Sequence, residues 1–152
     1  MAGNQKASVL FVAKNRALSH LICTWICQRL KDNPMQRLAV LSRLFLLFDP
    51  MEDGPREVSL REGRLTFAAA SPRRFTMVVV DEAHHVYSDP RLRTEVERYI
   101  TPGITQRLLL SDVSQSYGNG VAFRRDRVTL LETSQFWLSA TPDTPSSSCD
   151  LE

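Results

Sequence analysis

The chain is predicted to fold as an α/β domain around a mainly parallel β-sheet, and three observations lead there. Short apolar runs recur at Ser8–Ala13 (SVLFVA), Phe75–Val80 (FTMVVV) and Arg107–Ser111 (RLLLS). Segments of helical periodicity stand between them. Each run is apolar at nearly every position rather than at every second one, the pattern of strands covered on both faces by helices.

Composition agrees. With 152 residues, 43% of them hydrophobic and 24% charged, the chain has the length and apolar content of one globular domain and can bury a core. A net charge of +2 is too small to argue for nucleic acid by itself. Cys23, Cys27 and Cys149 form no CxxC pair and lie near no suitably spaced histidine, so they read as small apolar residues of a reduced protein rather than a zinc site. The N-terminal stretch MAGNQKASVLFVAKN has no long apolar core and no small-residue cleavage site, and so does not read as a signal peptide. Leu38–Phe48 is broken by Ser42 and Arg43 and falls well short of a bilayer span. A soluble intracellular protein with no membrane partner is the expectation.

Along the chain, Ser8–Ala13 reads as a buried strand and Asn15–Leu30 as a helix. Leu18, Leu21, Ile22, Trp25, Ile26 and Leu30 recur at three- and four-residue spacing to make one apolar stripe. Asp32-Asn33-Pro34 ends that helix. Leu38–Phe48 fits a strand or a buried helical turn equally. Asp49-Pro50 through Pro55 is loop, and Glu57–Ala68 alternates on either side of Glu62-Gly63 as a hairpin does. Phe75–Val80 is a strand buried on both faces. Arg91–Ile100 is a helix with Leu92, Val96, Tyr99 and Ile100 inward, stopped by Pro102-Gly103. Arg107–Ser111 is a further buried strand, and Val128–Leu131 is a candidate for one more. The domain is expected over residues 8–132, followed by a disordered tail over 133–152 that is rich in serine and proline.

Two acidic clusters follow these strands, where ligands of open α/β sheets bind. The first is Asp81-Glu82 in VVVDEAHH. An aspartate at a strand end can hold magnesium through water, because that ion prefers hard oxygen ligands. The adjacent glutamate can orient and deprotonate a water aimed at a γ-phosphate. Ala83 is small enough for a tight turn over the sheet edge, and Ala83 and His84 lead into a loop that can sense the nucleotide state, with His85 a solvated residue of it. The second cluster, RLLLSDVSQS, places Asp112 at a strand end and Gln115 three positions later. A glutamine there can donate to a phosphate and accept from water.

MVVVDEAHHVY resembles the Walker B box, or motif II, of superfamily 1 and 2 helicases. That resemblance implies a RecA-like P-loop NTPase fold, with Asp81 holding magnesium, Glu82 activating water, and His84 coupling the nucleotide and nucleic-acid sites. RLLLSDVSQSYG resembles motif III of superfamily 1, matching Asp112 and Gln115. SVLFVAKNRALSHLI resembles motif Ia, which implies contacts from Lys14, Asn15 and Arg16 to a nucleic-acid backbone; this segment is also similar to Schlafen-type helicase domains. Leu138–Pro142 (LSATP) resembles the superfamily 2 form of motif III, but RLLLSD already occupies the strand expected next, which favours superfamily 1. ATP, Mg2+ and a DNA or RNA partner of the full-length parent are what the resemblance implies. It covers roughly Ser8 to Phe123.

A P-loop, GxxxxGK[ST], is not in this sequence: no glycine precedes Lys6, Lys14 or Lys31 directly. The phosphate cradle and its neutralising lysine are therefore missing. The RecA-like domain is thus expected to be incomplete at its N-terminus, as a fragment or degenerate form of an ATP-dependent helicase or translocase. The alternative is a catalytically inactive α/β binding or scaffold module, and a third possibility is an ATPase of another P-loop family. The isolated chain is expected to show no ATPase activity. It is also expected to be marginally stable, because without a P-loop strand the strands before Asp81 and Asp112 would lack a neighbour.

Overall fold

The computed structural model describes residues 7–51, 54–103 and 106–111. Asp112, Gln115, LSATP and the tail from 133 onward lie outside them.

Six strands form one sheet in the order β4-β3-β2-β1-β5-β6. The elements follow the chain as β1 (Val9–Val12), α1 (Arg16–Arg29), α2 (Pro34–Leu41), β2 (Leu44–Leu47), β3 (Arg56–Arg61) and β4 (Arg64–Ala69). They continue with β5 (Met77–Val80), α3 (Ala83–Ser88), α4 (Pro90–Arg98) and β6 (Arg107–Leu109). β2, β1, β5 and β6 run parallel, while β3 and β4 add an antiparallel hairpin on the β2 side. The architecture is α/β with a mixed, mostly parallel sheet.

The apolar runs alternate between two cores. Leu10, Val12, Val78 and Val80 face one side, packed with Phe75, Ala83, Val86, Val96 and Ile100 under α3 and α4. Phe11 and Ala13 face the other, with Cys23 of α1 and Leu41 of α2. Burial on both faces is why these strands carry no polar alternation. Val80 and Leu10 are fully buried, each stabilising the fold by about 1.5–3 kcal/mol through removal from water.

Local chemistry sets the helix starts. The Asn15 side chain accepts from the Leu18 N–H at 2.9 Å, and Asn33 accepts from the Gln36 N–H at 3.0 Å. Asp89 accepts from the Arg91 N–H at 2.8 Å. Pro34 and Pro90 sit at the first helical position, where the missing N–H costs nothing. The β3–β4 turn puts both Glu62 and Gly63 at positive φ, 49° and 76°, the conformation a two-residue hairpin of this hand requires.

Four expectations need correction. The Leu38–Phe48 run is neither one strand nor one helix, because Ser42-Arg43 divides it between α2 and β2. The residues after Asp81-Glu82 form helix α3 rather than loop, so His85, though exposed, is helical. The strand before Asp81 does not lack a neighbour: β5 lies between β1 and β6, and every residue of it is paired to both except Met77, paired to β1 alone. β6 is not a buried strand, since Leu108 is 50% exposed and Leu110 beyond it 38%; it ends the sheet on that side among the described residues.

Candidate active site at the carboxyl edge of the sheet

The in-register pairing of β2, β1, β5 and β6 brings their carboxyl ends to one edge. Val12 stands opposite Leu47 and Val80, and Val80 stands opposite Leu109. Asp81-Glu82 follows β5 directly, and Lys14, Asp49 and Ser111 are each the second residue beyond their strands, with Asn15 and Arg16 next after Lys14.

The Asp81-Glu82-Ala83 turn is held by its neighbours' backbones. The Asp81 N–H donates to the Val12 carbonyl at 2.9 Å, and the Ala83 N–H donates to the Leu110 carbonyl at 2.8 Å. Between these anchors Glu82 takes the left-handed conformation, φ 48° and ψ 46°. A non-glycine residue there carries local strain that the flanking bonds must hold. Ala83 is fully buried, which leaves no room for a longer side chain.

The carboxyl of Asp81 is held above its ordinary value of 3.8. Burial is the main cause, and the adjacent Glu82 charge adds to it; a backbone hydrogen bond and His84 act in the opposite direction. Glu82 Oε2 lies 3.4 Å from Nε2 of His84, whose side chain is 7% exposed. Neither of these two buried atoms has a hydrogen bond of acceptable geometry. On its other side, His84 Nδ1 is 2.9 Å from Ser111 Oγ, so the imidazole joins the β5 turn to the end of β6.

Behind the turn, Glu97 of α4 accepts from both terminal nitrogens of Arg107 on β6. Arg107 also donates to the Tyr87 hydroxyl of α3 at 3.2 Å. The Arg107 guanidinium holds the Glu97 carboxyl below its ordinary value of 4.5. This cluster braces α3 and α4 against β6.

The edge thus brings together Asp81, Glu82 and His84, with Lys14, Asn15 and Arg16 exposed after the neighbouring strand. Asn15 differs from the other two, because its side-chain oxygen is committed to capping α1. Ser111 and the Tyr87–Glu97–Arg107 cluster were not singled out from the sequence, since nothing local marks pairings across so many residues. Cys23 is buried and its thiol is pushed up to about 12 by burial and Cys27, which agrees with reading it as an apolar filler. No helix among the described residues is long and apolar enough to cross a membrane. Comparison of the chain with known protein families, with curated proteins and with solved structures found no match.

Proposed function

We propose that this chain carries the water- and magnesium-handling half of a RecA-like, superfamily 1-type helicase ATPase domain, with DNA or RNA as the partner of the complete protein. The observation that carries this reading is the acidic pair Asp81-Glu82 at the carboxyl end of an interior parallel strand, held in a strained turn beside the adjacent strand end. Such turns concentrate where a side chain must be aimed. Magnesium, when bound, would neutralise phosphate oxygens. Asp81 suits it, because a carboxyl disfavoured as an anion by burial and by Glu82 gains from a nearby hard cation.

In this reading Glu82 accepts the proton of the attacking water at its carboxylate. His84, between Glu82 and Ser111, links that carboxylate to the β6 end, after which Asp112 and Gln115 follow. Lys14 and Arg16 offer exposed cations for a phosphate backbone. A second reading, an inactive binding or scaffold module, is favoured by one observation: the sequence has no Gly-Lys pair to cradle a β/γ-phosphate.

The two readings separate when the native transcript is read upstream of Met1. An in-frame strand followed by GxxxxGK[ST] supports the ATPase reading. A start at Met1 with no such segment supports the binding module.

A further inference from the structure

The structure assigns a binding site for a divalent first-row transition ion to Glu82, His84 and His85. Three observations converge on it. One ligand atom from each residue lies within 4.8 Å of the others. Glu82 Oε2 and His84 Nε2 are both buried, both lack a hydrogen-bond partner, and stand 3.4 Å apart. That separation is long for an N–H···O bond. It is, however, the edge of a tetrahedron whose ligands sit about 2.1 Å from a central zinc-sized ion, which comes to about 3.4 Å. Two buried polar atoms without a hydrogen bond are costly to the fold, and a cation shared between them removes that cost.

The second contact of His84 fits the same role. In the tautomer whose Nδ1–H donates to Ser111 Oγ, 2.9 Å away, the Nε2 lone pair faces Glu82, the arrangement by which metal-bound histidines are oriented. His85 completes the set. Residues adjacent on a helix ordinarily point apart, yet the His84 and His85 rings lie 4.3 Å apart between centroids, tilted by 38°. His85 is exposed, so its side chain can close on the ion. Two imidazoles and one carboxylate, with solvent at the remaining position, make a donor set suited to zinc or cobalt rather than magnesium. This site is separate from the magnesium role given to Asp81. Where the ATPase reading holds, a transition ion here takes Glu82 away from water activation.

The test is a titration of the full chain with Zn2+ against a chromophoric chelator, without nucleotide. Co2+ absorption serves as a second readout. One site per chain is expected, with Co2+ bands of nitrogen and oxygen ligation and no thiolate charge transfer. His85→Ala should weaken binding by more than the roughly tenfold expected for Ser111→Ala, since it removes a ligand rather than an orienting partner. His85 is exposed, so this variant keeps the test decisive if His84→Ala fails to fold. His20→Ala and a variant with Cys23, Cys27 and Cys149 changed to serine should bind as the parent does. No binding by the parent, undiminished binding by His85→Ala, or loss of binding in the serine variant overturns the assignment. Because nucleotide is absent, each outcome is independent of whether the chain belongs to an ATPase.

Discussion

Asp81 sits where its charge is a burden on the fold. Its carboxyl is held above the ordinary 3.8 by burial and by Glu82, so the folded chain keeps that proton more tightly than the unfolded chain does. Its ionisation therefore subtracts stability, and the loss sets in as pH rises through the window above 3.8. Asp81→Asn removes the charge at nearly constant shape. It should stabilise the domain at pH 7 by about 0.5–1 kcal/mol, the lower part of the range for single stabilising substitutions. That gain should shrink as pH falls toward the ordinary carboxyl value. Thermal melts of both chains at pH 7 and near pH 4 check this; a gain independent of pH would contradict it. At this scale the acidic pair and Ala83 were legible, because four apolar residues followed by DEAH put small and acidic side chains at a strand end. The partner of His84 was not. Ser111 lies 27 positions away, and only the parallel pairing of β5 with β6 brings it near.

At the scale of elements, the helices owe their positions to contacts that periodicity does not encode. The Glu97–Arg107 pair, with Tyr87, ties α4 and α3 to β6. The guanidinium holds Glu97 below its ordinary 4.5, so the pair's contribution is fully present above that value and fades as pH falls through the lowered one. Glu97→Gln should cost about 1 kcal/mol at pH 7, the upper end for a partly exposed pair but reasonable for a two-point arginine contact. The difference in melting temperature should close as pH drops below 4.5. An undiminished difference at low pH would mean the contact acts through packing alone. The first helix and the hairpin were readable because each has its own signal, an apolar stripe in α1 and Glu62-Gly63 between alternating runs. α2 was hidden because Met35, Leu38 and Val40 are apolar yet exposed, so the run continues unbroken in hydrophobicity into β2. α3 was hidden because six residues are too few to display a period.

For the whole molecule, the mainly parallel α/β class was legible from strands apolar on both faces, but the strand order was not. The sequence-based expectation left the Asp81 strand without a neighbour. In the fold β1 occupies that place, and among the described residues the sheet ends on that side at β6, where Leu108 is exposed, as is Leu110 just beyond the strand. An exposed apolar edge strand invites pairing with another chain. We expect concentration-dependent self-association of the chain, and we expect Leu108→Lys to reduce it without lowering the melting temperature, since a charge on an edge opposes further pairing. Sedimentation of both chains over a concentration series checks this, and equal association by the two would place the contact elsewhere.

The central claim is that Glu82 activates water for nucleotide hydrolysis. Its most direct measurement is magnesium-dependent ATP hydrolysis by the product of the complete native reading frame, compared with the same protein carrying Glu82→Gln. Loss of a general base predicts a fall in kcat of about 10²–10⁴-fold with nucleotide binding retained. Turnover that Glu82→Gln leaves unchanged would contradict the assignment.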